Sequence, residues 1–122
     1  MTEITTEMKE LIEKNALALA TIDSEGNPHC IVVGDVKVVS QKNLLIGDNY
    51  MAETIRNLKK NNNISLVVWC RDWEKNCVGY EIKGSAEYFK EGKWSEMIKK
   101  IHRGFPAKGA ILVTINKIKK LA

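Results

Sequence analysis

The sequence predicts an all-β fold with helical additions, a small antiparallel β-barrel carrying two to three short helices. Three observations point to it. About six or seven short apolar segments, separated by turn-forming clusters, arrive mostly as hairpins. The three stretches with helical apolar spacing interrupt these hairpins, and they do not alternate with single strands. The longest strand-like segment, residues 77–89, contains Gly79 and Gly84, which inside a strand mark a bend, a bulge or a close backbone approach and let a sheet curl towards closure.

Residues 1–15 read as an N-terminal helix capped by Thr5 or Thr6, with Glu7 in the first turn and Met8, Leu11 and Ile12 as its apolar stripe. Residues 16–22 and 30–34 are apolar and flank Asp23, Ser24, Glu25, Gly26, Asn27 and Pro28, a turn signal that makes them a hairpin. A second hairpin follows, from residues 36–39 through the turn at 40–43 to residues 44–47. Met51, Ile55 and Leu58 then place one face of a helix over residues 50–60, ended by Asn61, Asn62 and Asn63. Residues 64–70 form the clearest strand, and a polar excursion over 72–76 leads into the long segment 77–89, a strand broken around its two glycines. Trp94, Met97, Ile98 and Ile101 suggest a last short helix that stops before Gly104 and Pro106, and residues 110–118 supply the final strand.

The length of 122 residues fits one domain, residues 1–122. With 44% apolar and 28% charged residues the chain has material for both a core and a solvated exterior, which excludes a disordered class. No apolar run approaches the roughly 20 residues needed to span a bilayer, and no secretory leader pattern opens the chain, so the expectation is a cytoplasmic protein away from the membrane. Cys30, Cys70 and Cys77 match neither a zinc pattern nor a disulfide framework and read as reduced thiols, two of them inside strands. His29 and His102 are too few for a histidine-rich metal site, and no dinucleotide fingerprint, phosphate loop or hydrolase elbow is present.

The formal charge of +4 is unevenly spread. From Lys93 onward, Glu96 alone opposes Lys93, Lys99, Lys100, Arg103, Lys108, Lys117, Lys119 and Lys120, a field that attracts anions without specifying them.

Four stretches occur in order along the chain: ALATIDSEGNPHC (18–30), LLIGDNYMAETIRNLKKN (44–61), GYEIKGSAEYF (79–89) and FPAKGAILVTI (105–115). Together they resemble the pyridoxamine 5'-phosphate oxidase-like FMN-binding split-barrel proteins, in particular the small single-domain prokaryotic branch. The resemblance implies a six-stranded, Greek-key-like split barrel that forms a homodimer with FMN between subunits. It implies that residues of the span Asp48 to Asn57 hold the phosphate, among them Asp48, Asn49, Tyr50, Met51, Thr54 and Asn57. It further implies that His29, Val32, Val33 and Gly34 line the flavin ring, and that the loop with Arg103, Phe105 and Lys108 approaches the partner's flavin. Glu53 departs from the pattern, because relatives commonly carry lysine beside that threonine; Arg103 or Lys108 would then offset the phosphate charge.

Each of these residues also has a structural reading. Asn49 as a helix cap leaves first-turn amides free to meet an anion, or satisfies them itself. Arg56 and Lys59 read as solvent-exposed solubilising groups. A lone His29 makes a structural hydrogen bond or points to water as readily as it neighbours a ligand. Val32, Val33, Gly34 and Asp35 suit either core packing or a flat apolar surface beside backbone polar groups. Trp73, beside Arg71 and Asp72, is either an interface contact or a loop anchor.

With FMN bound, the expected function is electron transfer or oxidation–reduction of a small substrate, with a nicotinamide or protein electron donor. A flavin-like cofactor or a haem is a related possibility. The rival class is a non-enzymatic basic barrel that binds nucleic acid or a protein partner, in which Lys117, Lys119 and Lys120 would otherwise only flank the last strand.

Overall fold

The computed structural model describes residues 1–34, 36–101, 104 and 107–121. Ten elements follow one another: α1 (Thr6–Lys14), β1 (Leu17–Ile22), β2 (Pro28–Val33), β3 (Val36–Ser40), β4 (Asn43–Asp48), α2 (Ala52–Lys60), β5 (Asn63–Trp69), β6 (Gly79–Phe89), α3 (Lys93–Ile101) and β7 (Gly109–Lys120).

The expected six-stranded split barrel is corrected in strand number and in closure. Seven strands form one antiparallel sheet in the order β2-β1-β5-β6-β7-β4-β3, and among the described residues no backbone pairing joins β2 to β3. These two outer strands are consecutive in the chain, so Val33 and Val36 are three Cα steps apart, at most about 11 Å. The sheet must therefore curl until its ends approach. They are tethered but not paired.

The physical reason lies in α1, which takes up a free edge group of β3. Glu13 Oε2 accepts from the Val38 N–H at 2.9 Å, and the same carboxylate lies 3.4 Å from Lys37 Nζ. An edge amide that a seventh pairing would have used is thus satisfied by a side chain. Thr5 caps α1 by accepting from the Met8 N–H at 3.2 Å, and Met8 and Ile12 are buried in the core while Leu11 packs against it.

Alternation builds the interior. Leu17, Leu19 and Thr21 of β1 point inward, as do Ile64, Leu66 and Val68 of β5, and they share the core with Ile82 of β6 and Ile111 and Val113 of β7. Each fully buried aliphatic side chain contributes about 1.5–3 kcal/mol. A smaller cluster, Leu45, Ile98, Ala107 and Ala110, lies under α3 on the other face of β4 and β7, which is why Leu44, Leu45 and Ile46 are all buried although they alternate.

The long strand β6 is continuous, with its irregularity confined to a register shift between Lys83 and Gly84. A Cβ at Gly84 would run into the backbone carbonyl of Thr114, so this glycine is required by close approach. At the first hairpin, Asp23 Oδ1 accepts from the Glu25 and Asn27 amides, which hold its carboxyl below the usual range, and Gly26 supplies the positive φ of 85°.

Of the three free cysteines, only Cys30 lies inside a strand; Cys70 and Cys77 flank the loop between β5 and β6. Lys117, Lys119 and Lys120 belong to β7 itself, where Lys117 and Lys119 stand opposite Lys83 and Glu81. No helix among the described residues is long and apolar enough to cross a membrane.

Candidate functional site

The turn from β4 into α2 differs from the capping scheme that its sequence suggests. Asn49 does not cap the helix. Met51 is the N-cap residue, it provides no side-chain hydrogen bond, and its carbonyl accepts the first helical bond from the Ile55 N–H at 3.0 Å. The amides of Ala52, Glu53 and Thr54 therefore precede the ladder without a helical partner, at the positive end of the helix dipole. Close by, two buried polar atoms have no hydrogen-bond partner, Asn49 Oδ1 and Thr54 Oγ1, and Thr54 is only 1% exposed.

Two flanks of α2 carry different chemistry. Glu53 and Asn57, one turn apart, face β1 and β2. Asn57 Nδ2 donates to Thr21 Oγ1 at 3.0 Å, and His29 Nδ1 lies 3.0 Å from Glu53 Oε2. His29 is thus neither free nor simply solvated; a half-exposed carboxylate engages it. The opposite flank carries Arg56 and Lys59 and faces Asp48, Tyr50 and Lys108 across an open cavity. Lys108 donates its backbone N–H to Asp48 O at 2.7 Å and sets Nζ 5.5 Å from the centre of the Tyr50 ring.

Asp48 is buried at the end of β4, where its Oδ2 accepts from Tyr88 Oη at 2.8 Å. Burial, together with this bond and the charge of Asp48, pushes the Tyr88 hydroxyl up to about 12, so Tyr88 remains a donor across the neutral range.

The other expected ligand-contacting residues lie along β2 and just beyond it. This is an edge strand, paired only with β1, so one row of its backbone N–H and C=O groups faces no other strand. Val32 is 75% exposed, Val33 is buried in the core, and Gly34 follows the strand with open space around its Cα. Arg103 and Phe105, together with Asp35, lie outside the described residues.

The structure therefore brings Thr54, Asn57 and His29 to one side of α2, and Asp48, Tyr50 and Lys108 to the other. Thr21, the partner of Asn57, was missed by residue-type reasoning. Its signal is register: it occupies the inward position after Leu17 and Leu19, where a polar residue needs a partner.

A family model described as Pyridoxamine 5'-phosphate oxidase matches residues 4–122. The chain belongs to this family. Among its relatives, the uncharacterized protein MJ0282 of Methanocaldococcus jannaschii is 29% identical over 98% of this chain and 81% of its own length. The crystal structure of HupZ from Group A Streptococcus superposes with a TM-score of 0.89 at 28% identity, covering 97% of this chain and 94% of the other. An FMN-binding protein from Syntrophomonas wolfei shares the fold, with a TM-score of 0.82 at 20% identity over 93% of this chain and 83% of its own. At the level of the pyridoxamine 5'-phosphate oxidase family, membership supports a flavin-associated function.

Proposed function

We propose that the protein is an FMN-binding redox protein in which the flavin ring lies along the edge strand β2 and the phosphate sits at the N-terminus of α2. The observation that carries this reading is the Thr54 hydroxyl, buried without a partner beside three first-turn amides that no side chain caps. A buried unsatisfied hydroxyl is costly, and a phosphate oxygen is the kind of acceptor that such a group and such amides lack. Edge-strand polar groups beside Val32 and Gly34 suit the pyrimidine edge and apolar body of a flavin.

Opposing this, Glu53 places a carboxylate in the same first turn, so a phosphate there is held less tightly than amides and hydroxyl alone would hold it. His29, 3.0 Å from that carboxylate, is placed to neutralise it when protonated.

When bound, the flavin supplies one- or two-electron chemistry. The chain's own contribution is position and exclusion of water, with α2 and β2 fixing the two ends of the ligand. A second copy of the chain packs, in this reading, on the outer face of β2, β1 and β5. Val32 there stands opposite Ala18 and Cys30 opposite Ala20, small or apolar residues of which Val32 and Cys30 are exposed.

The test is titration of the purified protein with FMN and with riboflavin, followed by absorption and flavin fluorescence. Thr54→Val is expected to weaken FMN much more than riboflavin. A protein that takes up neither flavin refutes the proposal. Reduction of bound flavin by NADH or NADPH, compared with reduction by a ferredoxin-like donor, separates an enzyme from a carrier.

Glu53 favours one second reading, a planar ligand without a phosphate at this position, such as a haem. Uptake of haemin with a defined Soret band, in protein that ignores FMN, selects it.

A further inference from the structure

The flank of α2 facing away from His29 forms a site of its own. Ala52, Ile55, Arg56 and Lys59, spaced three and four apart, make one stripe on the helix. That stripe walls a cavity of about 450 Å³ whose other side is Tyr50 and Lys108. The volume lies within the range of small-molecule sites, about 300–1,000 Å³.

Charge in this groove is one-sided. Arg56, Lys59 and Lys108 contribute three cations, and none of the ion pairs among the described residues uses any of them. The single acid at the rim, Asp48, is buried and accepts from Tyr88. The apolar floor is Met51 and Ile55. Above it, Tyr50 is 86% exposed, with the Lys108 ammonium 5.5 Å from the centre of its ring. An open aromatic ring beside unpaired cations matches a ligand that carries both a flat aromatic group and phosphate.

We propose that this groove binds a nucleoside phosphate, with the base stacked on Tyr50 and the phosphates held by Lys108, Arg56 and Lys59. In the flavin reading the ring lies on the Glu53, Asn57 and His29 side of the same helix, opposite this groove, which shares only Ala52 with the first turn and stands whether or not that reading holds.

The experiment is calorimetry and amide-resolved NMR on the full chain with ADP, inorganic pyrophosphate and FMN as probes. ADP is expected to shift the amides of residues 50–59 and 108 and to bind more weakly as salt rises. The double substitution Arg56→Ala, Lys59→Ala should weaken ADP by at least about tenfold, the scale of two lost charged hydrogen bonds, with Tm and flavin uptake unchanged. Tyr50→Ala should weaken ADP more than pyrophosphate. Three results overturn the proposal: no shifts at these amides with millimolar ADP; pyrophosphate binding as tightly as ADP and indifferent to Tyr50→Ala, which marks a general anion patch; or stoichiometric displacement of ADP by FMN, which makes the groove the flavin site itself. ADP binding by protein that takes up no flavin supports this site and counts only against the flavin reading.

Discussion

His29 Nδ1 on the edge strand β2 lies 3.0 Å from Glu53 Oε2 in the first turn of α2, so the phosphate position proposed above is bordered by an acid–imidazole pair. Removing the carboxylate relieves repulsion at the positive end of the helix. Glu53→Gln is therefore expected to tighten FMN about two- to fivefold, matching a helix-end charge effect of about 0.3–1 kcal/mol. Riboflavin affinity, measured by the same fluorescence titration, should not change.

Thr54 and Asn57 are both buried in α2, but they differ in partners, and their substitutions should differ in sign. Thr54→Val removes a hydroxyl that has no partner and should leave the ligand-free protein as stable as before or up to about 1 kcal/mol more stable. Asn57→Ala deprives Thr21 of its donor and should cost about 1–3 kcal/mol. Urea unfolding of both variants without ligand checks this.

Gly84 sits against the Thr114 carbonyl at the β6 register shift, where backbone cannot yield as a side chain would. Gly84→Ala should destabilise the fold by about 1–3 kcal/mol, the range for overpacking. Thermal unfolding will register it as a lowered Tm.

Tyr88 titrates late. Its folded value of about 12 lies above the ordinary value of 10.0, so the folded state holds this proton longer than the unfolded chain does. The stabilisation is complete below pH 10 and is lost as pH rises towards 12. Phenolate absorbance should show a step near pH 12 that Tyr88→Phe abolishes, and the difference in stability between the two proteins should shrink over the same interval.

Val32 projects from the uncovered face of β2, at 75% exposure, opposite Ala18. If a second copy packs there, Val32→Lys should yield a monomer by solution mass while leaving Tm nearly unchanged at high dilution, since the side chain contributes little to the monomer's own core.

Much of the architecture was legible in the residues. Turn clusters such as the one at Asp23 to Pro28, and the inward stripe of Met8 and Ile12, depend only on local chemistry, and every predicted helix and strand appears within a few residues of its place. Closure was not legible, because it turns on whether Val38 bonds to another strand or to the Glu13 carboxylate, a choice between partners distant in the chain. The candidate site was half legible. Thr54 and Asn57 lie buried on the helix that the apolar spacing predicts, whereas the cap failed because Met51, not Asn49, takes the last non-helical position. Arg56 and Lys59 read as solubilising groups because only the approach of Lys108 and Tyr50 from elsewhere turns that flank into a groove.

The strand order also bears on synthesis. The two hairpins made first, β1 with β2 and β3 with β4, end at opposite margins of the sheet, and β4 has its second neighbour in β7, the last of these seven strands to be synthesised. Until that strand emerges, β4 keeps one margin bare on the nascent chain. Cooperative folding of the sheet therefore awaits the emergence of β7, and a translation product cut short before residue 109 would carry a ready template for aggregation.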